Sequence, residues 1–148
     1  MKTPIAYYSN NKFNAMKLKD FMRLTAYYSD DYLLYMRCYS REHETAVARY
    51  PIHQFGINAS GQLVFEVDYS MVEQPLSLED FRINFDHLSP ELNMFICNDW
   101  QRRCYDEELK EVETFLEGEN LCLGLLTSKD AWDKWAYKRA KAVEKYHL

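Results

Sequence analysis

Glycine and proline are scarce, four of each in 148 residues, and a chain with so few turn-forming residues is expected to spend little of its length in loops. Cysteine is equally sparse. Cys38, Cys97, Cys104 and Cys122 form no CxxC pair and share no regular spacing, so neither a disulfide framework nor a zinc site is expected. Cys38, Cys97 and Cys122 each fall within an apolar, strand-like run, where a reduced cysteine acts as a small hydrophobe. No run approaches the roughly 18 consecutive apolar residues of a membrane span. The segment from Met1 to Asn10 lacks the apolar core of a signal peptide, so a cytoplasmic protein without membrane contact is expected. Phosphate-binding glycine patterns are missing as well: Gly56, Gly61, Gly118 and Gly124 stand singly, with neither GxGxxG nor GxxxxGK[ST] among them. There is no GxSxG elbow and no HExxH helix. The expectation is a protein without cofactor or metal and without catalytic machinery.

What is present is apolar and aromatic: 47% hydrophobic and 16% aromatic residues, enough for one packed core spanning residues 1–148. Lys17 to Tyr28 places Leu18, Phe21, Met22, Leu24 and Thr25 at helical spacing and breaks at Ser29-Asp30-Asp31. Tyr32 to Tyr39 reads as a strand. Tyr50–Asn58 and Gln62–Tyr69 read as a hairpin closed at Gly61, with Leu63, Phe65 and Val67 on one face. The order then recurs. Ser77 and Asp80 start a helix in the manner of a capping box, with Leu78, Phe81, Phe85 and Leu88 as its apolar stripe. Ser89-Pro90 ends it, Leu92–Cys97 is strand-like, and Leu121–Leu126 resembles the closing strand of the first hairpin.

At an offset of 60, Leu18, Asp20, Phe21, Ser29, Tyr35 and Met36 meet Leu78, Asp80, Phe81, Ser89, Phe95 and Ile96. Removing two residues from the second loop brings Leu63, Phe65 and Val67 onto Leu121, Leu123 and Leu125. The expected fold is therefore α+β: two duplicated helix-plus-antiparallel-sheet units, over residues 16–69 and 77–126, with a C-terminal helix over 129–148. Tyr105, Leu109, Val112 and Leu116 have helical spacing. That predicts an irregular or helical lead-in before a strand around Val112–Leu116. The tail is uninterrupted by glycine or proline. Ser128 is expected to cap it, and Trp132, Ala136, Ala140 and Val143 to form the stripe that packs on a sheet.

Charge is unevenly spread. Residues 1–70 hold 8 Lys/Arg against 7 Asp/Glu, residues 71–128 hold 4 against 13, and residues 129–148 hold 6 against 3. Asp106, Glu107, Glu108, Glu111, Glu113, Glu117 and Glu119 crowd together with only Lys110 among them. Such a concentration keeps a protein soluble, and it can also steer a basic partner. The tail offers an alternative contact: Lys134, Lys138, Arg139, Lys141 and Lys145 beside Trp132 and Trp135, cations and stacking surfaces suited to nucleic acid. A third possibility is a small enzyme using Arg41-Glu42-His43-Glu44 with His53 and Cys38 nearby, although neighbours on an extended segment point to opposite faces.

The unit LKDFMRLTAYYSDDYLLYMRCY followed by GQLVFEVD resembles a helix-then-sheet pattern of small proteins from phages and mobile elements, over residues 16–69 and more loosely 77–126. The resemblance implies a non-enzymatic protein-binding module, an inhibitor of host defence of the anti-CRISPR kind. It would dock by its acidic surface on a basic, nucleic-acid-handling partner.

Overall fold

Two short helices begin with the same bond, from the cap amide to an aspartate three residues on, and at the second it is reciprocal. Ser77 Oγ accepts from the Asp80 amide at 3.1 Å, and the Asp80 carboxylate accepts from the Ser77 amide at 2.8 Å. At the earlier start the Asp20 carboxylate accepts from the Lys17 amide at 3.4 Å. The helices that follow, α1 (Leu18–Leu24) and α2 (Leu78–Arg82, continued by a 3-10 turn at Phe85–His87), bury Leu18, Phe21, Leu78 and Phe81 completely. The computed structural model describes residues 15–39, 48–98 and 105–146.

The strands are β1 (Leu33–Cys38), β2 (Ala48–Ile57), β3 (Leu63–Val67), β4 (Met94–Asn98), β5 (Tyr105–Glu117) and β6 (Asn120–Thr127), followed by α3 (Ser128–Tyr146). They form one mixed sheet closed into a barrel in sequential order. Neighbours are antiparallel except β3–β4 and β6–β1, which are parallel. The sheets of the two units expected from the sequence are thus one continuous surface, mixed and not wholly antiparallel. Closure removes the open edges that each short hairpin would otherwise present.

Inside the barrel, alternation supplies Leu34 and Met36, Ile52, Leu63, Phe65 and Val67, Met94 and Ile96, Leu109, and Leu123 and Leu125. Phe81 is the hub of the aromatic core. Its ring lies 5.4 Å from Phe21, 4.8 Å from Phe55 and 5.0 Å from Phe65, the tilted and edge-on geometries aromatic rings prefer.

The hydrogen-bond pattern of the second half repeats the first. Leu63 faces Met94, as Leu123 faces Leu34; Phe65 faces Ile96, as Leu125 faces Met36. The amide of Leu78 donates to Tyr32 at 2.7 Å and that of Leu18 to Leu92 at 2.9 Å. Isolated bridges join Leu33 to Ser77 and Lys17 to Asn93. All these pairs keep an offset of 60, so Leu123, and not the Leu121 of the sequence alignment, stands in the place of Leu63. β2 and β5 instead correspond at an offset of 57. Ile52 faces Val67 with a register shift before Gln54, and Leu109 faces Thr127 with the same shift before Glu111.

That shift accounts for the helical spacing of the apolar residues from Tyr105 to Leu116. Residues 105–111 belong to the strand, contrary to the irregular or helical lead-in expected. A bulge between Leu109 and Glu111 inserts one residue, so Leu109 and Val112, three apart, both face inward. Three-residue spacing on one face imitates a helix.

The tail helix is present, with two corrections. Its cap is Thr127 and not Ser128: Thr127 Oγ1 accepts from the Asp130 amide at 3.3 Å and donates to the Asp130 carboxylate at 2.8 Å. The expected stripe also does not face the sheet. Trp132 is 58% exposed, and Ala140 and Val143 are exposed as well. Polar residues seat the helix instead. Among the described residues no helix is long and apolar enough to cross a membrane.

Candidate binding surface

The α3 helix leaves the end of β6 and lies against the outer face of β5, β6 and β1, and a cluster of charges fixes it there. Glu113 of β5 receives bonds from Arg37 Nε at 2.8 Å, from the Tyr39 hydroxyl at 2.9 Å and from Lys134 Nζ at 2.9 Å. Lys134 also pairs with Glu111. The Arg37 guanidinium sits 4.0 Å from the centre of the Phe115 ring, and the Tyr39 and Tyr137 rings pack at 5.6 Å. Glu113 is only 11% exposed. Burial alone would raise its carboxyl, yet the bonds from Lys134, Tyr39 and Arg37 outweigh burial and hold it below the usual range. Burial likewise works to lower Lys134, and Glu111 and Glu113 reverse it.

This cluster divides up the acidic run. Glu108 pairs with Lys110 at 3.2 Å, Glu111 and Glu113 with α3, and Glu117 with Arg49 at 2.6 Å. Asp106 accepts from the Asn58 side chain at 2.9 Å. Glu107 stands opposite Ile96 near one barrel end, where its charge acts on Cys38, Tyr69 and Asp130. Glu119 is exposed in the β5–β6 turn. Lys110 is therefore not the only countercharge: Arg37, Arg49 and Lys134 come from strands and a helix far away in sequence. No local pattern could have announced them.

The second half of α3 is different. Lys138, Arg139, Lys141 and Lys145 have no carboxylate at ion-pair distance among the described residues. Three of them lie instead near rings of their own helix: Arg139 is 5.8 Å from Trp135, Lys141 5.7 Å from Tyr137 and Lys145 5.2 Å from Tyr146. Trp132 and Trp135 stack on each other at 5.2 Å and 28°, and Trp135 remains 54% exposed. Most residues from 138 to 146 are exposed around the whole helix. The alternative contact residues of the sequence reading thus gather on one element, except Lys134, which the barrel engages.

At the barrel end where α3 begins, Cys38, Tyr50, Tyr69, Thr127 and Asp130 come together. Asp130 is 5% exposed, and burial lifts its carboxyl to about 6 against the opposing bonds from Thr127. Burial, then the charge of Asp130, pushes the Cys38 thiol far up. The Tyr69 hydroxyl donates to Met36 Sδ at 3.5 Å, and the Tyr50 and Tyr69 rings pack at 4.8 Å. Among the described residues, no three His, Cys, Asp or Glu side chains are placed to hold a metal ion. Arg41, Glu42, His43, Glu44 and Cys104 lie outside the described residues, whereas His53 lies at the β2 bulge.

No protein-family model matches the chain, and no curated protein or solved structure is similar to it.

Proposed function

We propose that the protein is a binding module whose recognition element is α3 from Trp132 to Tyr146, and that its target is a protein surface bearing carboxylates. One observation carries this reading: Trp132 and Trp135 remain more than half exposed beside four cations without carboxylate partners among the described residues. Tryptophan, tyrosine and arginine dominate the energetics of protein interfaces. A helix that presents them together with an uncovered apolar stripe has the form of a ligand for a groove. The acidic run supports the docking role expected from the sequence less well, because Glu108, Glu111, Glu113 and Glu117 already hold internal partners. Glu119 and Asp106 are what that reading has left. A phage-type inhibitor role would be the special case in which the partner is a host defence protein.

A duplication accounts for the architecture that carries α3. Two copies of a helix-plus-three-strand unit, each too small to close a core alone, would interlock into one barrel and give the repeated registers described above. Nucleic acid is the second reading, favoured by aromatic rings interleaved with cations along α3.

The experiment pairs two variants, Trp132→Ala/Trp135→Ala and Lys138→Glu/Arg139→Glu/Lys141→Glu, with two probes, a glutamate-rich peptide and oligothymidylate. Both variants should fold and lose peptide binding, with binding by the wild type weakening as salt rises. Oligothymidylate binding with quenched tryptophan emission, and none for the peptide, would favour nucleic acid. Binding of neither probe by the wild type would remove α3 as the recognition element.

A further inference from the structure

The side chains that seat α3 and those it leaves in solvent lie on opposite sides of the helix. Lys134, bonded to Glu113 at 2.9 Å, and Tyr137, packed on Tyr39 at 5.6 Å, mark the side toward the barrel, with buried Asp130 one turn earlier. At 3.6 residues per turn, the other side carries Trp132, Trp135, Arg139, Ala142 and Tyr146. Trp132, Trp135 and Tyr146 are 58%, 54% and 61% exposed, Arg139 is exposed and Ala142 is half-buried. Their spacing of three, four, three and four residues is that of a coiled-coil seam. The stacked rings of Trp132 and Trp135 give it a flat apolar plate at one end.

The cations are not equivalent about this seam. Arg139 lies within it. Lys138 and Lys145, seven residues apart, border one flank, where coiled coils place the charges that select a partner. Ala136 and Val143 border the other. Lys141 is two full turns beyond Lys134 and so falls on the barrel side of the helix.

We propose that the partner of α3 is an acidic amphipathic helix that packs along the seam from Trp132 to Tyr146 as the second strand of a short coiled coil. Its apolar residues would cover the tryptophan plate, one carboxylate would lie opposite Arg139, and others would pair with Lys138 and Lys145. Charge selects this occupant over the α3 of a second copy. With the two seams in register, Arg139 would face Arg139 in either orientation, and an unpaired like-charge contact in a seam discriminates against that pairing. The seam is about 21 Å long at 1.5 Å per residue, room for about two heptads of a partner. This proposal rests on α3 being a recognition element and names the form of its partner.

The test is titration calorimetry of the full-length protein with a three-heptad synthetic peptide, leucine at each a and d position and glutamate at each e and g position. The wild type should bind it with a gain of helical circular dichroism. A scrambled peptide of the same composition should bind about tenfold more weakly or worse. Lys138→Glu/Arg139→Glu/Lys145→Glu should lose the glutamate peptide by about tenfold or more and bind instead the peptide with lysine at e and g. Lys138→Glu alone should weaken binding about threefold, as for one exposed ion pair, while Lys141→Glu should stay within about twofold. These side chains are solvent-facing, and unchanged thermal melts confirm that the variants fold. Equal binding of the ordered and scrambled peptides would overturn the proposal while keeping α3 as a carboxylate-binding element. Equal losses from Lys138→Glu and Lys141→Glu would do the same. A wild-type dimer by light scattering that Trp132→Ala/Trp135→Ala abolishes would place a second copy on the seam and overturn it. Binding of neither the helical peptide nor the glutamate-rich one would overturn this proposal and the carboxylate reading together.

Discussion

A Cβ on Gly124 would occupy the space that holds the Cγ of Arg37, with the Cγ of Glu113 only 3.0 Å away on the other side. Arg37 lies flat across β6 here, reaching from β1 to Glu113 on β5. The side chain missing at Gly124 is what lets the guanidinium pass. Gly124→Ala should force Arg37 off Glu113 and cost about 1–3 kcal/mol, the usual range for overpacking. Gly56, which matches Glu113 at the β2–β5 offset of 57, has nothing within 4 Å of a Cβ among the described residues. Gly56→Ala should therefore change stability by no more than about 1 kcal/mol, with stabilisation the expected direction. Urea denaturation of the two variants makes the comparison, and equal losses would refute it.

Glu113 joins three elements, since Arg37 and Tyr39 come from β1 and its flank, and Lys134 from α3. Removing one partner from a buried ion cluster leaves uncompensated charge. Glu113→Ala should cost about 3–5 kcal/mol, whereas Glu119→Ala, in an exposed turn, should stay within about 0.5 kcal/mol. Thermal melts of the two variants check this. Reversing Glu107, Glu108 and Glu111 to lysine should also lower the melting temperature, because Glu111 holds Lys134; if these carboxylates formed a solvated acidic face, stability would be unchanged.

Asp130 carries a stability signature that depends on pH. Its folded carboxyl titrates near 6, above the ordinary 3.8, chiefly through burial. Below pH about 4 both folded and unfolded states are protonated and nothing is lost. As pH rises from about 4 to 6 the unfolded chain ionises first, so folding becomes less favourable, and the penalty is complete above 6. Lys129 offsets the buried charge, while Glu107 adds to it. Asp130→Asn, which can still accept from Thr127, should raise stability by about 2–3 kcal/mol at pH 7.5. The advantage should vanish towards pH 4. Melting the variant beside the wild type across that range is the measurement, and an advantage that grows on acidification would contradict the assignment.

Ile52 and Leu109 each precede the bulge of their strand, and both are fully buried. Ile52→Ala and Leu109→Ala should destabilise by similar amounts, about 2–5 kcal/mol each. Chemical denaturation gives both values. A difference larger than about 2 kcal/mol would argue that the two halves, though alike in register, bear load unequally.

Much of the fold could be read directly from the residues. Ser77 with Asp80, Gly61 between alternating runs, and the recurrence of Leu18-x-Asp20-Phe21 as Leu78-x-Asp80-Phe81 each report a local bond or a local periodicity. Such signals need only neighbouring residues. The failures came where a distant pairing altered the local pattern. The bulge beside Lys110 made strand spacing look helical, and a longer β5–β6 hairpin suggested Leu121 where the register places Leu123. In α3, the apolar stripe predicted a buried face. The helix is seated instead by Lys134 and Tyr137, because the barrel offers it a carboxylate and a phenol.

The sequence alone determined the helices, the hairpins and the uneven distribution of charge, since propensity, capping and alternation act over a few residues. Only the tertiary structure decided which charges are available. A carboxylate in a run of seven is acidic surface in the sequence. In the folded chain, Glu113 is an internal ion because Arg37 and Lys134, 76 and about 21 positions away, converge on it. The cations of the second half of α3 meet no such partner among the described residues, and that difference moves the proposed contact from the acidic strand to the basic helix. Coulomb energy depends on distance in space, and closing the barrel set those distances.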